Sequence, residues 1–233
     1  MNNRGYIAAA VVIGAVIFIA TRPHADDRKS SWMPLRFDGG ACDGASADVN
    51  GNTGRLAWDG SSHVTIAVPA KSRWRRGEGN DVVLHGSADD LERIRLENGT
   101  LKVCGDIDDE VEIVLPGKAF EKVTIAGAGE LRMKDVDQAE LELTIAGAGK
   151  IEADGTSERL KVTIAGAGET NLGQLHTKRL KLTIAGAGEA EASPEDEVDI
   201  SVVGSGNVDL LKRPKHRDFN VIGAGDIKVP DNT

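Results

Sequence analysis

The chain has 233 residues, with 37 acidic and 28 basic side chains for a net charge of −9, and only 3% aromatic residues beside 28 glycines. So few rings exclude a core built on aromatic bulk and require thin layers filled by Leu, Ile, Val and Ala. The acidic balance argues against a nucleic-acid partner, because binding DNA or RNA relies on clustered Lys and Arg.

Residues 6–20 (YIAAAVVIGAVIFIA) run without a charge between Arg4 and Arg22. That is short for a membrane span and suits the apolar stretch of a signal peptide. Residues 1–22 are therefore expected to form a hydrophobic helix, as a signal peptide or a retained N-terminal anchor. Residues 23–36 read as a linker, and everything after them as lying outside the cytoplasm. Cys42 and Cys104 then favour a disulfide over a metal site, since neither has a second Cys or a His at ligand spacing. The histidines His24, His63, His85, His176 and His216 are scattered and read as surface residues.

Residues 37–115 carry strand signals at 63–68, 81–85, 93–96, 101–103 and 111–115, with Asn98-Gly99 as a hairpin turn between two of them. The region is expected to cap the rest of the chain, because an open stack of strands must be blunted at its end. Its basic stretch 71–76 (KSRWRR) reads as a solvated hairpin.

From residue 116 onward one phrase returns six times: TIAGAGE at 124–130, TIAGAGK at 144–150, TIAGAGE at 163–169 and 183–189, SVVGSGN at 201–207 and NVIGAGD at 220–226. Its glycine pairs are Gly127 and Gly129, Gly147 and Gly149, Gly166 and Gly168, Gly186 and Gly188, Gly204 and Gly206, Gly223 and Gly225, at spacings of 20, 19, 20, 18 and 19. Before each pair, apolar residues alternate with polar ones (Leu141, Leu143, Ile145; Leu160, Val162, Ile164), which is a strand period. A second short alternation comes after each pair, as in Leu131 and Met133. The fold class is all-β. A parallel β-helix or solenoid is expected, with about six coils of roughly 19 residues over 116–233. Stacking would place Ile ladders inside, Thr ladders outside and Gly ladders at the corners, because glycine takes φ > 0 and lets coils approach.

The repeated phrase, with LENGTLKV at 96–103 and VEIVLPGKAFEKVTIAGAG at 111–129, resembles the head GIN domain family of auto-transporter adhesins over residues 37–230. The resemblance implies an exported bacterial protein with a β-helical fold and supplies no biochemical activity. It extends to the head only, for no translocator-barrel pattern comes after the last repeat.

Sharper readings of the repeat fail on its spacing. A nucleotide loop would need a third glycine and a helix after it, and neither is present. Nonapeptide calcium rolls need Asp after the second glycine, where this chain has Glu130, Lys150, Glu169, Glu189, Asn207 and Asp226. Polysaccharide cleavage needs converging carboxylates, whereas the outward residues Arg132, Glu152, Asn171, Glu191, Asp209 and Lys228 alternate. No catalytic, cofactor or metal residue is assigned. The expected function is a non-catalytic exported envelope protein presenting a rigid solenoid for adhesion, scaffolding or assembly, with a carbohydrate-active β-helix enzyme as the alternative. Expected partners are a protein or glycan of the cell envelope, the membrane through a retained N-terminal segment, and a second copy of the chain. Of the tryptophans, Trp32, Trp58 and Trp74 all precede the repeat and read as core or cap residues.

Overall fold

A computed structural model describes residues 42–231. The leader helix expected at 1–22 and the linker at 23–36 lie outside the described residues. Among the described residues, no helix is long and apolar enough to cross a membrane.

The first half of the unit holds short strands: β1 (Ala45–Ser46), β2 (Asp48–Asn50), β3 (Thr53–Leu56), β4 (His63–Ala67), β5 (Lys71–Arg75) and β6 (Val82–His85). One helical turn, α1 (Ala88–Leu91), precedes β7 (Ile94–Glu97), β8 (Thr100–Val103) and β9 (Glu112–Val114). Then come β10 (Lys122–Gly127) and four strands that bend around whole turns: β11 (Glu130–Gly147), β12 (Lys150–Gly166), β13 (Glu169–Gly186) and β14 (Glu189–Gly204). The stack closes with β15 (Asn207–Leu210), β16 (His216–Gly223) and β17 (Asp226–Lys228).

The repeats stack in parallel and in register, so each repeat position becomes a column. Ile125, Ile145, Ile164, Ile184, Val202 and Val221 pair in sequence along one inward column. Thr124, Thr144, Thr163, Thr183, Ser201 and Asn220 form the outward column beside it. The six glycine corners enclose five full turns. At each corner the backbone is also laddered: the Ala167 amide donates to the Gly147 carbonyl at 2.9 Å, and the Glu169 amide to that of Gly149 at 2.9 Å. Gly166 shows why the corner excludes side chains. Its φ is +127°, and an added Cβ would press into the Gly147 carbonyl oxygen of the coil beneath.

Each turn has a third inward segment as well as the two legible in the repeat. Leu175 and Thr177 are both buried, between the short alternation after the glycine corner and the next strand. The stretch 153–158 (ADGTSE), polar enough to read as a turn, thus runs as β-structure along this segment, with Ser157 buried and its hydroxyl donating to the Arg159 carbonyl at 3.0 Å.

The solenoid does not begin at residue 116. Strand β4 pairs in parallel with β10 on one side and β8 on the other, while β5 pairs in parallel with β11 and β9. Leu101 and Ile66 thereby extend the isoleucine column by two levels. The segment 63–75 lies between a level made later in the chain (β8–β9) and the first repeat. The stretch 71–76 is accordingly not a solvated hairpin. Lys71, Arg73 and Arg75 face outward, while Ser72 and Trp74 are buried in the stack. The Trp74 indole donates to the Lys118 carbonyl at 2.9 Å.

What does cap the stack is antiparallel. Strand β7 pairs with β8 across the Asn98-Gly99 turn, where both residues have positive φ. Strand β6 pairs with β9 and β3, and β1 pairs with β7. Beside them, Ser87 caps α1, and the buried Asp90 accepts from the Ser87 hydroxyl at 2.7 Å and from the amides of Asp108 and Asp109 at 3.2 and 3.1 Å. Cys42 and Cys104 sit with Cα atoms 5.9 Å apart and their sulfurs joined, tying the start of the described chain to the end of β8.

Candidate functional site

Because inward positions fill the core, chemistry can reside only in the outward columns and at the ends. On the face after the glycine corners, one outward column reads Glu112, Lys71, Glu130, Lys150, Glu169, Glu189, Asn207, Asp226. The next reads Arg73, Arg132, Glu152, Asn171, Glu191, Asp209, Lys228, so the six residues taken from the repeat do share one line. Adjacent strands lie about 4.8 Å apart, close enough for neighbouring charges to pair.

They do pair. Arg132 meets Glu152 at 2.7 Å, and Lys150 meets Glu169 at 2.9 Å and Glu152 at 3.4 Å. Near the cap, Lys71 meets Glu110 at 2.5 Å, while Arg73 bridges Glu78 at 2.6 Å and Glu112 at 3.0 Å. All of these except Glu169 line a cleft of about 660 Å³. On the face before the corners, Glu142 lies between Lys122 at 3.0 Å and Lys161 at 3.3 Å, and Arg159 pairs with Glu140. A shallow trough of about 1030 Å³ runs along these columns.

The pairing fixes the protonation states. The hydrogen bond from Arg132 holds the Glu152 carboxyl below the usual range. Burial pushes Glu142 up, but hydrogen bonds from Lys122 and Lys161 outweigh it and hold it low. Hydrogen bonds to Glu110 and Glu169 raise the ammonium groups of Lys71 and Lys150, and one to Glu78 raises Arg73. Each of these shifts moves its group away from neutrality, the reverse of what general acid–base catalysis requires. Among the described residues, no group of three or more His, Cys, Asp or Glu side chains is arranged to hold a metal ion.

Neither of the two described tryptophans presents a ring face as a sugar platform would. Trp74 is buried, and the half-buried Trp58 packs edge-on against Phe120 with ring centroids 5.4 Å apart. Trp32 lies outside the described residues.

The signal that sequence reasoning missed lies at the C-terminal end. The five exposed large hydrophobic residues among those described are Val203, Leu211, Phe219, Val221 and Ile222, all on the last levels of the stack. Phe219 and Val221 occupy inward columns that are buried in every coil beneath them.

Residues 106–214 match the family described as "Putative auto-transporter adhesin, head GIN domain". No protein of curated function matches the sequence. Two solved structures are similar. One is a "putative adhesin" from Bacteroides fragilis, at 16% identity and a TM-score of 0.59, covering 80% of this chain and 100% of that one. The other is a "putative lipid binding protein" from Parabacteroides distasonis, at 16% identity and a TM-score of 0.50, covering 81% of this chain and 100% of that one. At such identities the likeness shows the shared fold alone.

Proposed function

We propose that this chain, which matches the head GIN domain family over residues 106–214, is a non-catalytic exported protein of the cell envelope, its solenoid serving as a rigid platform for adhesion or scaffolding. The observation that carries this reading is the pairing of charges along the outward columns. Carboxylates such as Glu142, Glu152 and Glu169 pair with neighbouring cations coil after coil, which holds both partners in their charged forms. Such a surface is regular, stiff and polar, which suits repeated contacts with an extended partner, a protein or glycan of the envelope. Export is supported by the apolar segment 6–20 and by a cysteine pair suited to an oxidising compartment. Retention of that segment would hold the protein at the membrane.

Cell fractionation with sequencing of the mature N-terminus tests the location, and the envelope fraction is expected. Recovery in the cytoplasm would sink the export half of the reading. Incubation with a panel of envelope polysaccharides tests the rest: the expected result is binding or no effect. Chain cleavage that a single carboxylate substitution abolishes would make the protein an enzyme instead.

A further inference from the structure

We propose that the C-terminal end of the solenoid is a self-association surface, at which two copies of the chain join end to end by antiparallel pairing of β16 with β16. The two ends of the stack are unequal. At the N-terminal end, β7 occupies the outer edge of β8 and β6 that of β9, so the backbone groups there are used. Leu101 and Ile113, the last members of their columns, are fully buried. At the other end β16 pairs only with β14, and β17 only with β15, among the described residues. All eight residues of β16 are exposed. A long exposed edge that carries Phe219, Val221 and Ile222 is a template for another strand.

The inequality selects the partner. Joining an open end to a closed one offers only the two- and three-residue edges of β1 and β2 on the closed side, too short to match the eight residues of β16, so the copies do not polymerise. Two open ends related by a two-fold axis satisfy each other and stop at two.

Charge selects the orientation. Arg217 stands at the end of the inward column Leu141, Leu160, Leu180, Val198. A further parallel coil laid on β16 would bury its guanidinium, whose hydrogen bond to the neutral Pro214 carbonyl at 2.6 Å leaves the charge uncompensated. In an antiparallel pair, opposed residues share a face, so the core stays continuous only when the two-fold axis passes through a residue. An axis at Arg217 opposes two guanidinium groups, and one at Asp218 opposes two carboxylates. An axis at Asn220 opposes the two amides, sets Phe219 against Val221 of the second copy twice, and leaves Arg217 beside Gly223, which has no side chain to meet it. That register covers apolar surface that is otherwise 39% exposed at Phe219 and 40% at Val221.

The test uses the full chain, held in detergent on account of its N-terminal segment, with its mass measured by sedimentation over a concentration series. A dimer is expected. Asn220→Lys puts two ammonium groups at the axis and should raise the dissociation constant about tenfold or more, without lowering the melting temperature at dilutions where the wild type is itself monomeric. Asn220→Cys should cross-link into a covalent dimer on mild oxidation, whereas Thr163→Cys, in the same column at mid-stack, should not. A wild-type chain monomeric at every concentration would overturn the proposal. So would a dimer that persists in Asn220→Lys while Asn220→Cys fails to cross-link, assemblies larger than two, or a different protein recovered on this end in equal amount.

Discussion

The repeat coils from β10 to β17 and the region before them build the same columns by different means. In the repeats, identity does the work. The same residue returns at the same place, and a glycine corner lets each coil sit on the last through the Ala167-to-Gly147 type of hydrogen bond. In the region of β1 to β9, no two levels are alike. Ser72 stands where a coil above has Leu131, and Trp74 where it has Met133. Order is maintained there by individual ties: the joined Cys42 and Cys104, the Asp90 carboxylate and the indole of Trp74. Regularity stabilises through backbone fit at many equal sites, irregularity through a few singular contacts.

The sharpest break of that contrast is a methyl group at a corner. Gly166→Ala adds a Cβ against an immovable carbonyl at positive φ, and should cost roughly 4 kcal/mol from overlap and strain together. Gly60→Ala, also at positive φ but with nothing within 4 Å of the new Cβ, should cost about 1 kcal/mol. Urea denaturation of the two variants measures the difference, and equal losses would mean that stacking does not govern the corner. Next in size is the covalent tie. Cys104→Ser opens a link spanning 62 residues and should lower stability by about 3 kcal/mol. Hydrogen exchange should show the loss concentrated before residue 115, with β12 and β13 little changed.

The smallest effect concerns acid. The Asp90 carboxyl is held below its ordinary range first by the Ser87 hydroxyl, then by the amides of Asp108 and Asp109 and by Arg93, against the opposing push of burial. A group depressed in the folded state stabilises above its unfolded pKa and loses that stabilisation as pH falls through the lowered value. Glu142 and Glu152 in the repeats are held low as well, but they are partly exposed and screened, whereas Asp90 is buried. Acidification should therefore loosen the cap before the repeats, seen as an early change in Trp58 and Trp74 emission. Asp90→Asn should weaken the cap at neutral pH and flatten that early phase. A single acid transition shared by all probes, unaltered in Asp90→Asn, would remove the distinction.

Much of the repeat region is legible in its letters, because a strand period and a returning glycine pair leave one way to stack. The outward columns come from the same spacing. The rest is hidden for physical reasons. In β5 the alternation is present, but Lys71, Arg73 and Arg75 mask it, and Ser72 is a weak inward signal. The third inward segment is hidden because its residues are turn-formers that nonetheless pair, as Gly155 does with Val136 and Leu175. The apolar end surface is invisible to pattern alone. Phe219 and Val221 match the buried residues of every earlier repeat, and only their place on the last level exposes them.

The placement of the 63–75 level between β8–β9 and β10–β11 bears on how this protein can change its length. A duplicated turn inserted between β11 and β14 meets matching neighbours above and below, so the shaft can lengthen or shorten by whole turns. No such freedom exists at the base, where two levels made far apart in the chain hold a third between them. Growth by duplication is thus confined to the middle of the molecule, and both ends are carried along unchanged.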